Sequence, residues 1–178
     1  LPGVSDPGAR LVRAALDAGV PVTVLPGPSA VETALVLSGL AGERYAFLGF
    51  LPRRAGELDA LWEELASWPW PCVAFESPHR LPSSLASLAR AAPEREVAVC
   101  RELTKRFEEV VRGSAREVAE RFAEAPRGEI TLVIGPGGGV AAPDSAAAVA
   151  AVAELVAAGT PRRVAAEVVS RLTGTSRN

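Results

Sequence analysis

Charged and polar side chains follow each apolar, strand-like run of this sequence, where the run ends. Cations, carboxylates and hydroxyls recur in this position in four places: Ser29 after the first run, Pro52, Arg53 and Arg54 after the second, Glu76, Ser77, His79 and Arg80 after the third, and Arg101, Glu102, Thr104 and Lys105 after the fourth. Carboxylates and lysines can move protons or stabilise charge, and arginine forks can hold phosphates. Because ligands of α/β sheets bind at the carboxyl ends of strands, we expect a polar rim there.

The same residues also have structural interpretations, and these stay open at the level of sequence. The alternatives are a helix-capping role for Ser29, a simply exposed position for His79, a solvated turn at Arg53 and Arg54, and internal ion pairs of Glu76 with Arg80 or Arg101 and of Glu102 with Lys105. The sequence has no Ser–His–acid order and no dinucleotide-binding glycine pattern. Spacing alone therefore does not select a reaction.

Composition limits the class of protein. The chain has 178 residues, 48% of them apolar and 22% charged, with a net charge of −2, which is typical of a globular protein without a global nucleic-acid-binding charge. Any RNA partner must meet a local basic face. Cys72 and Cys100 lie in apolar runs and, with the lone His79, lack zinc-site spacing, so we expect buried thiols and no metal. No signal peptide or spanning segment is recognisable, which predicts a cytoplasmic protein without membrane contact.

Periodicity predicts the elements that position these residues. The first forty residues predict a helix that starts at Asp6 and Pro7 and is closed by Gly19, followed by a strand over 20–25. A second helix is predicted to begin at the capping box of Ser29 and to end near Gly39. The pattern then restarts: strands are predicted over 45–50, 72–76, 97–100, 107–112 and 130–134, with helices beginning near 56, 77 and 114. The short connection between the third and fourth of these strands favours an antiparallel pair. The fold class is therefore α/β with a mixed sheet.

Residues 135–139, which read Gly-Pro-Gly-Gly-Gly, resemble a phosphate-binding loop but lack its Lys-Ser/Thr, so we interpret them as a flexible linker. Two helices are predicted beyond it, from Asp144 to Ala158 and from Thr160 to about Leu172. A Thr-Gly break and a new start at Ser176 give this small helical tail a helix-turn-helix-like pattern, which stops where its second helix is expected to begin.

Six stretches, taken together and in order, resemble one family. They are GVSDPGARLV from Gly3, LPGPSA from Leu25, GFLPRR from Gly49, ESPHRL from Glu76, CRELTK from Cys100 and GEITLVIG from Gly128. Their order is similar to that of the ribosomal small-subunit RNA cytidine-2′-O-methyltransferases of the tetrapyrrole methylase superfamily. The joint order of six motifs is far more specific than any one of them.

The resemblance implies a fold of two α/β domains that bind S-adenosylmethionine in the cleft between them, and a homodimer. The implied substrate is a cytidine ribose 2′-hydroxyl in 16S ribosomal RNA of the small ribosomal subunit. Residues 1–42 would then be the remainder of the N-terminal α/β domain. Residues 43–139 would be the C-terminal α/β domain, and 140–178 a linker and a truncated helical module.

The resemblance also assigns roles to residues of the rim. It implies cofactor contacts from Pro26, Gly27, Pro28, Ser29, Ala30, Phe50, Leu51, Pro52, Leu103, Ile130 and Thr131. Glu76, Glu102 and Lys105 become candidates for catalysis, with Lys105 able to stabilise a developing alkoxide. Arg53, Arg54, His79, Arg80 and Arg101 are expected to hold RNA phosphates.

This sequence departs from the family pattern at its start, where Leu1-Pro2-Gly3 stands in place of Gly-Thr-Pro-Gly and no methionine occurs anywhere. We therefore expect a fragment that lacks one wall of the cofactor cleft and is inactive alone. Two further interpretations stay open: a tetrapyrrole C-methyltransferase of the same superfamily, and a non-catalytic dimerisation or RNA-docking module.

Overall fold

The computed structural model describes residue 5 and residues 7–137 and 145–173. The chain divides into two compact units, residues 1–138 and 139–178. The predicted boundary near Gly42 stays a prediction.

The N-terminal segment contains two helices, α1 (Ala9–Asp17) and α2 (Ala30–Ser38). Helix α1 begins at Ala9, with Gly8 as its N-cap, instead of at Pro7, and Asp6 lies outside the described residues. Gly19 follows it in the left-handed region at φ 70°, as predicted for a helix-closing glycine. Helix α2 ends as predicted, before Gly39 at φ 76°.

The strand predicted over 20–25 is wrong: these residues have no regular secondary structure. A strand needs a partner for its backbone N–H and C=O groups, and no described strand pairs with this run. Its apolar side chains are exposed, Leu25 by 84%. The apolar, β-branched composition of this run is typical of a strand, but no strand among the described residues pairs with it.

The rest of the first unit is an α/β layer structure. Its elements are β1 (Ala46–Phe50), α3 (Ala55–Leu65), β2 (Cys72–Glu76), α4 (Leu81–Ala91), β3 (Glu96–Arg101), β4 (Glu109–Ser114), α5 (Ala115–Arg121) and β5 (Ile130–Ile134). The sheet order is β1-β2-β5-β3-β4, with β1 and β2 parallel and every other neighbouring pair antiparallel. The predicted mixed sheet and the antiparallel β3–β4 pair are confirmed.

Within this layer structure, β4 and α4 begin later than predicted. Strand β4 starts at Glu109, two residues later than expected. Helix α4 starts at Leu81, because residues 78–80 form a turn in which the N–H groups of Arg80 and Leu81 both donate to the carbonyl of Ser77. The capping box predicted at Ser114 is confirmed, with Ser114 Oγ accepting from the N–H of Glu117.

The pairing brings the ends of β1, β2 and β3 to one edge of the sheet, together with the starts of β4 and β5. We call this the carboxyl edge. The register sets Ile130 opposite both Glu76 and Arg101, and Arg101 opposite Glu109. The polar residues that follow the second, third and fourth strand-like runs of the sequence therefore lie along one continuous edge of the sheet.

The two faces of the sheet are covered differently. Helices α3, α4 and α5 pack on one face through residues such as Trp62, Leu85 and Val118. The other face carries α2 alone among the described helices, through Val31, Ala34 and Leu35. Cys72 and Cys100 are buried on opposite faces as free thiols, and burial raises the pKa of each to about 11. Both are inert apolar fillers at neutral pH.

The start of the predicted flexible linker is bonded instead. The N–H of Gly135 donates to the carbonyl of Glu96, and the N–H of Gly137 donates to the carbonyl of Trp68. A Cβ on Gly137 would lie 2.5 Å from the carbonyl oxygen of Ala66, so glycine allows this close approach to the end of α3. Residues 138–139 of the predicted linker lie outside the described residues.

The second unit contains α6 (Ser145–Ala157) and α7 (Arg162–Thr173), which pack together through residues such as Ala148, Ala165 and Val169. Both predicted tail helices are confirmed. The predicted cap Asp144 and the new start at Ser176 lie outside the described residues. No helix within 7–137 or 145–173 is long and apolar enough to cross a membrane.

Candidate active site

The loop between β3 and β4 holds Glu102 and Lys105 at the carboxyl edge. Two of its residues, Glu102 at φ 51° and Thr104 at φ 64°, have left-handed backbone conformations that side-chain-bearing residues seldom adopt. The Nζ of Lys105 donates to Glu102 Oε1 at 3.0 Å and to Glu129 Oε2 at 2.9 Å. The cation is therefore held between two carboxylates on the sheet edge.

The backbone of Glu129 holds both the backbone and the side chain of Glu102. Its N–H donates to the carbonyl of Glu129 at 3.0 Å, and its Oε1 accepts from the N–H of Glu129 at 2.9 Å. Gly128, at φ 100°, lies under this carboxylate, and a Cβ there would stand 2.7 Å from Glu102 Cδ. Only glycine fits beneath Glu102 without displacing it.

These contacts set the charges of the pair. The N–H of Glu129, followed by Lys105, lowers the pKa of Glu102, and the carboxylate of Glu129, followed by that of Glu102, raises the pKa of Lys105. Glu102 is therefore a carboxylate and Lys105 an ammonium ion at neutral pH. A lysine held in its charged form is a poor base and a good stabiliser of negative charge that develops in a reaction.

Glu76, the third predicted catalytic residue, is 2% exposed and bonded at both oxygens. Its Oε1 accepts from the N–H of Ser77 at 2.7 Å, and its Oε2 accepts from Ser84 Oγ at 2.6 Å. The guanidinium of Arg80 lies 3.1 Å from the same Oε2. This environment favours the structural alternative for Glu76.

Arg80 connects the ends of β1 and β2. Its Nη2, besides pairing with Glu76, donates to the carbonyls of Leu51 and Pro52. The loop that follows β1 is thereby held by a guanidinium whose own position is fixed by a buried carboxylate. Arg80 is the only predicted phosphate ligand among the described residues that also braces the loop carrying two others, Arg53 and Arg54.

The remaining predicted phosphate ligands differ in their contacts. Arg54 pairs with Glu57 at 3.1 Å on the surface, and Arg101 donates to Glu109 at 2.9 Å and to the carbonyl of Arg127 at 3.1 Å. Arg53 and His79 are exposed, and within the described residues neither forms a hydrogen bond or an ion pair. Arg53 is therefore an arginine available to an anion.

The predicted cofactor loop, Pro26 to Ala30, precedes α2. Ser29 is the N-cap of α2 as predicted, but its side chain does not accept from the helix backbone. Its hydroxyl donates to Glu32 Oε2 instead, while Tyr45 donates to Glu32 Oε1 at 2.6 Å. These two hydroxyls, Ser29 first, lower the pKa of Glu32. The expected capping box is thus replaced by a side-chain pair.

The other predicted cofactor residues divide between the two faces. Leu51 and Ile130 belong to the core under α3, α4 and α5, whereas Leu103 packs on the α2 face. Thr131 is opposite Phe75 and Cys100, so it shares the α2 face with them. Leu51 and Ile130 therefore point away from Leu103 and Thr131.

A β-bulge shapes the apolar part of the α2 face. The register of β1 shifts between Phe47 and Phe50, at Gly49 with φ 69°, so both rings contact Phe75, at 5.1 and 5.6 Å between centroids. Phe50 is 61% exposed. This face consequently offers an open aromatic wall beside the carboxyl edge.

Sequence reasoning missed Glu129, Gly128 and Phe75 as parts of this region. Glu129 and Gly128 stand immediately before β5, in the motif GEITLVIG, and their position before a strand was the available signal. The described residues contain no group of three or more side chains suited to hold a metal ion.

Comparisons with known proteins define the class. Residues 2–119 match the model of the tetrapyrrole (corrin/porphyrin) methylases, and the chain belongs to this family. The crystal structure of the methyltransferase CobJ has a similar fold, with a TM-score of 0.57 and 19% identity over 76% of this chain and 61% of that one.

Two curated relatives are much more similar in sequence, and both are named ribosomal RNA small subunit methyltransferase I. The protein of Mycobacterium bovis is 50% identical over 159 residues, which are 89% of this chain and 55% of that protein. The protein of Micromonospora olivasterospora is 40% identical over 180 residues, covering 99% of this chain and 58% of that protein. The chain thus spans about half the length of the relatives it matches.

Proposed function

We propose that this chain is part of an S-adenosylmethionine-dependent methyltransferase that acts on a cytidine ribose 2′-hydroxyl of 16S ribosomal RNA. The 50% identity to the Mycobacterium bovis relative, over 89% of the chain, is the observation that carries the proposal. The charged site at the carboxyl edge supplies a chemical reason for it.

The α2 face fits one side of a bound adenosylmethionine. Phe50 presents an exposed ring beside Phe75, and Leu103 lies partly buried on the same face. Apolar walls with a few polar groups are typical of such cofactor sites. The cofactor supplies an electrophilic methyl group. Phe50, Leu103, Thr131 and the backbone of Pro26 to Ala30 are the proposed contacts.

Lys105 is the proposed stabiliser of charge at the ribose oxygen. A hydroxyl is a weak nucleophile, and negative charge grows on its oxygen as its proton leaves. The raised pKa of Lys105 keeps an ammonium ion at the edge where the oxygen would be presented. Glu102 and Glu129 orient Nζ, so the positive charge is in place before reaction.

Exposed cations beside this edge support an RNA substrate. Arg53 and Arg54 follow β1, and His79 follows β2, so two arginines and an imidazole stand near one edge. The tetrapyrrole alternative has the family description on its side, but the relatives at 40 to 50% identity carry the ribosomal RNA name. The homodimer implied by the family resemblance is part of the same proposal.

The test uses a chimera, in which this chain replaces the aligned segment of the Mycobacterium bovis relative. The assay measures tritiated methyl transfer to small ribosomal subunits and to protein-free 16S RNA, with digestion to nucleosides. We expect 2′-O-methylcytidine as product. Methylation of a tetrapyrrole with none on RNA would overturn the proposal. The non-catalytic alternative predicts a chimera that binds RNA but transfers no methyl group. Calorimetry with S-adenosylmethionine then shows whether this chain binds the cofactor.

A further inference from the structure

A cavity of about 330 Å³ lies between α3 and α4, beside the carboxyl edge. It is outside the α2 face and uses neither Glu102 nor Lys105. Its walls include the loop after β1, through Pro52 and Arg53, and the outward side of α4, through Arg90. Nothing in the proposed methyl-transfer chemistry requires this cavity.

The charged residues that line the cavity are all arginines. Arg53, Arg80 and Arg90 line it, and no carboxylate is among the lining residues. Arg53 and Arg90 are exposed and, within the described residues, their side chains form no hydrogen bond or ion pair. Two guanidinium groups that line the cavity are therefore free to bind an anion.

The interior of the cavity is held rigidly. Ser83 Oγ donates to the carbonyl of Arg80 at 2.8 Å, Ser84 Oγ to Glu76, and Ser87 Oγ to Asp59 at 2.7 Å. These hydroxyl protons are committed to the protein, so the donors left for a ligand are the guanidinium groups. Planar guanidinium forks bind the oxygens of phosphate in pairs.

We propose that the α3–α4 cavity binds a backbone phosphate of the RNA substrate through Arg53 and Arg90. The inference rests on the proposed function, because the RNA is the substrate proposed there. Arg80 also lines the cavity and is a positioning residue, since its guanidinium is already shared by Glu76 and two carbonyls. The cavity would hold the strand beside the carboxyl edge while the reacting ribose lies at Lys105.

The test measures binding of a short fluorescein-labelled single-stranded RNA to this chain by fluorescence polarisation, without cofactor. Potassium chloride is varied from about 50 to about 200 mM. Arg90→Gln is expected to weaken binding about tenfold at low salt, the loss of one charge-assisted contact. The slope of log affinity against log salt should fall by about 0.7 for each phosphate contact removed, and further in Arg53→Gln/Arg90→Gln.

Arg116→Gln is the matched control. Arg116 is an exposed arginine of α5 paired with Glu94 at 2.7 Å, and it does not line the cavity. Its removal should lower affinity and slope far less than removal of Arg90. Equal losses in both variants would show general charge attraction and overturn the cavity proposal.

A second arm titrates inorganic phosphate into the same variants by calorimetry. If Arg90→Gln abolishes phosphate binding but leaves RNA affinity and slope unchanged, the cavity binds a small anion and the RNA inference is overturned. Unchanged RNA binding in the double variant, or no RNA binding by this chain, also overturns it. Since the assay needs no methyl transfer, a chimera that fails to methylate RNA would remove the proposed function separately.

Discussion

Glu129 holds Glu102 from two directions at once. Its carbonyl accepts the N–H of Glu102 at 3.0 Å, and its own N–H donates to Glu102 Oε1 at 2.9 Å. The start of β5 is thereby joined to the loop that leaves β3, and Lys105 bridges the two carboxylates. The position of the ammonium ion depends on both segments, which are far apart in the chain.

Removal of the Lys105 charge should lower the rate of methyl transfer while leaving the affinity for S-adenosylmethionine nearly unchanged. In the chimera, Lys105→Ala is expected to lower single-turnover methyl transfer by about 10²-fold, the usual loss when one charge-stabilising group is removed. Affinity for S-adenosylmethionine, measured by calorimetry, should change little. Glu102→Ala should act in the same direction, through the lost orientation of Nζ.

Lys105→Arg is the control, because it keeps the charge and displaces it. We expect partial activity from this variant. Single-turnover rates that match the unsubstituted chimera in Lys105→Ala and in Glu102→Ala would exclude both residues from the reaction.

A side chain at Gly128 should destabilise the protein. Gly128→Ala places a Cβ 2.7 Å from Glu102 Cδ on a backbone with φ 100°. Positive-φ strain and the displaced carboxylate predict a loss of about 1–3 kcal/mol in the free energy of unfolding, measured with urea. Gly56→Ala, in the first turn of α3 with open space around the added carbon, should instead gain stability, by less than the ~0.5–1 kcal/mol typical of a mid-helix glycine. A loss at Gly56 equal to that at Gly128 would contradict this account.

Loss of the Arg80 side chain should lower the stability of the folded protein. Arg80→Ala leaves the buried carboxylate of Glu76 without its cation and frees the carbonyls of Leu51 and Pro52. Breaking a buried pair costs about 3–5 kcal/mol, and the partial exposure of Arg80 places the expectation at about 2–3 kcal/mol. Thermal and urea unfolding measure it. Arg54→Ala, which removes a surface pair, should cost less than about 1 kcal/mol.

The carboxylate of Glu102 should give a pH-dependent contribution to stability. Because its pKa is lowered below the ordinary 4.5 by Glu129 and Lys105, folding favours its charged form. This stabilisation is complete above pH 4.5 and is lost as the pH falls through the lowered pKa. The difference in unfolding free energy between the unsubstituted chain and Glu102→Gln should therefore shrink as the pH falls below 4.5. A difference that grows with acid would contradict the assigned direction.

Local signals predicted much of the fold. Apolar runs located the five strands of the sheet, and the short link between β3 and β4 gave their antiparallel pairing. The residues after β1, β2 and β3 do share an edge, as the rim argument expects. Long-range geometry was beyond that reasoning. The hydrogen bonds between Glu102 and Glu129, and the close approach of Gly137 to the end of α3, depend on segments that only folding brings together.

The face of the sheet on which each residue lies also depends on geometry that the sequence pattern does not contain. The family resemblance implies cofactor contacts from both Ile130 and Thr131, yet adjacent strand residues point to opposite faces. Phe47 and Phe50 share a face because of the bulge at Gly49, against simple alternation. The run at 20–25 has strand composition without a partner among the described strands, and composition cannot supply one.

The central position of β5 determines when the sheet can close. This strand is the last of the five along the chain, yet it separates β2 from β3. During synthesis, the β1–β2 pair and the β3–β4 pair emerge first, each with one inner edge that has no hydrogen-bonding partner in the sheet. Exposed strand edges invite pairing with other chains. The ribosome must release residues 130–134 before both edges are covered at once, so the step that joins the two halves also ends the period of greatest aggregation risk.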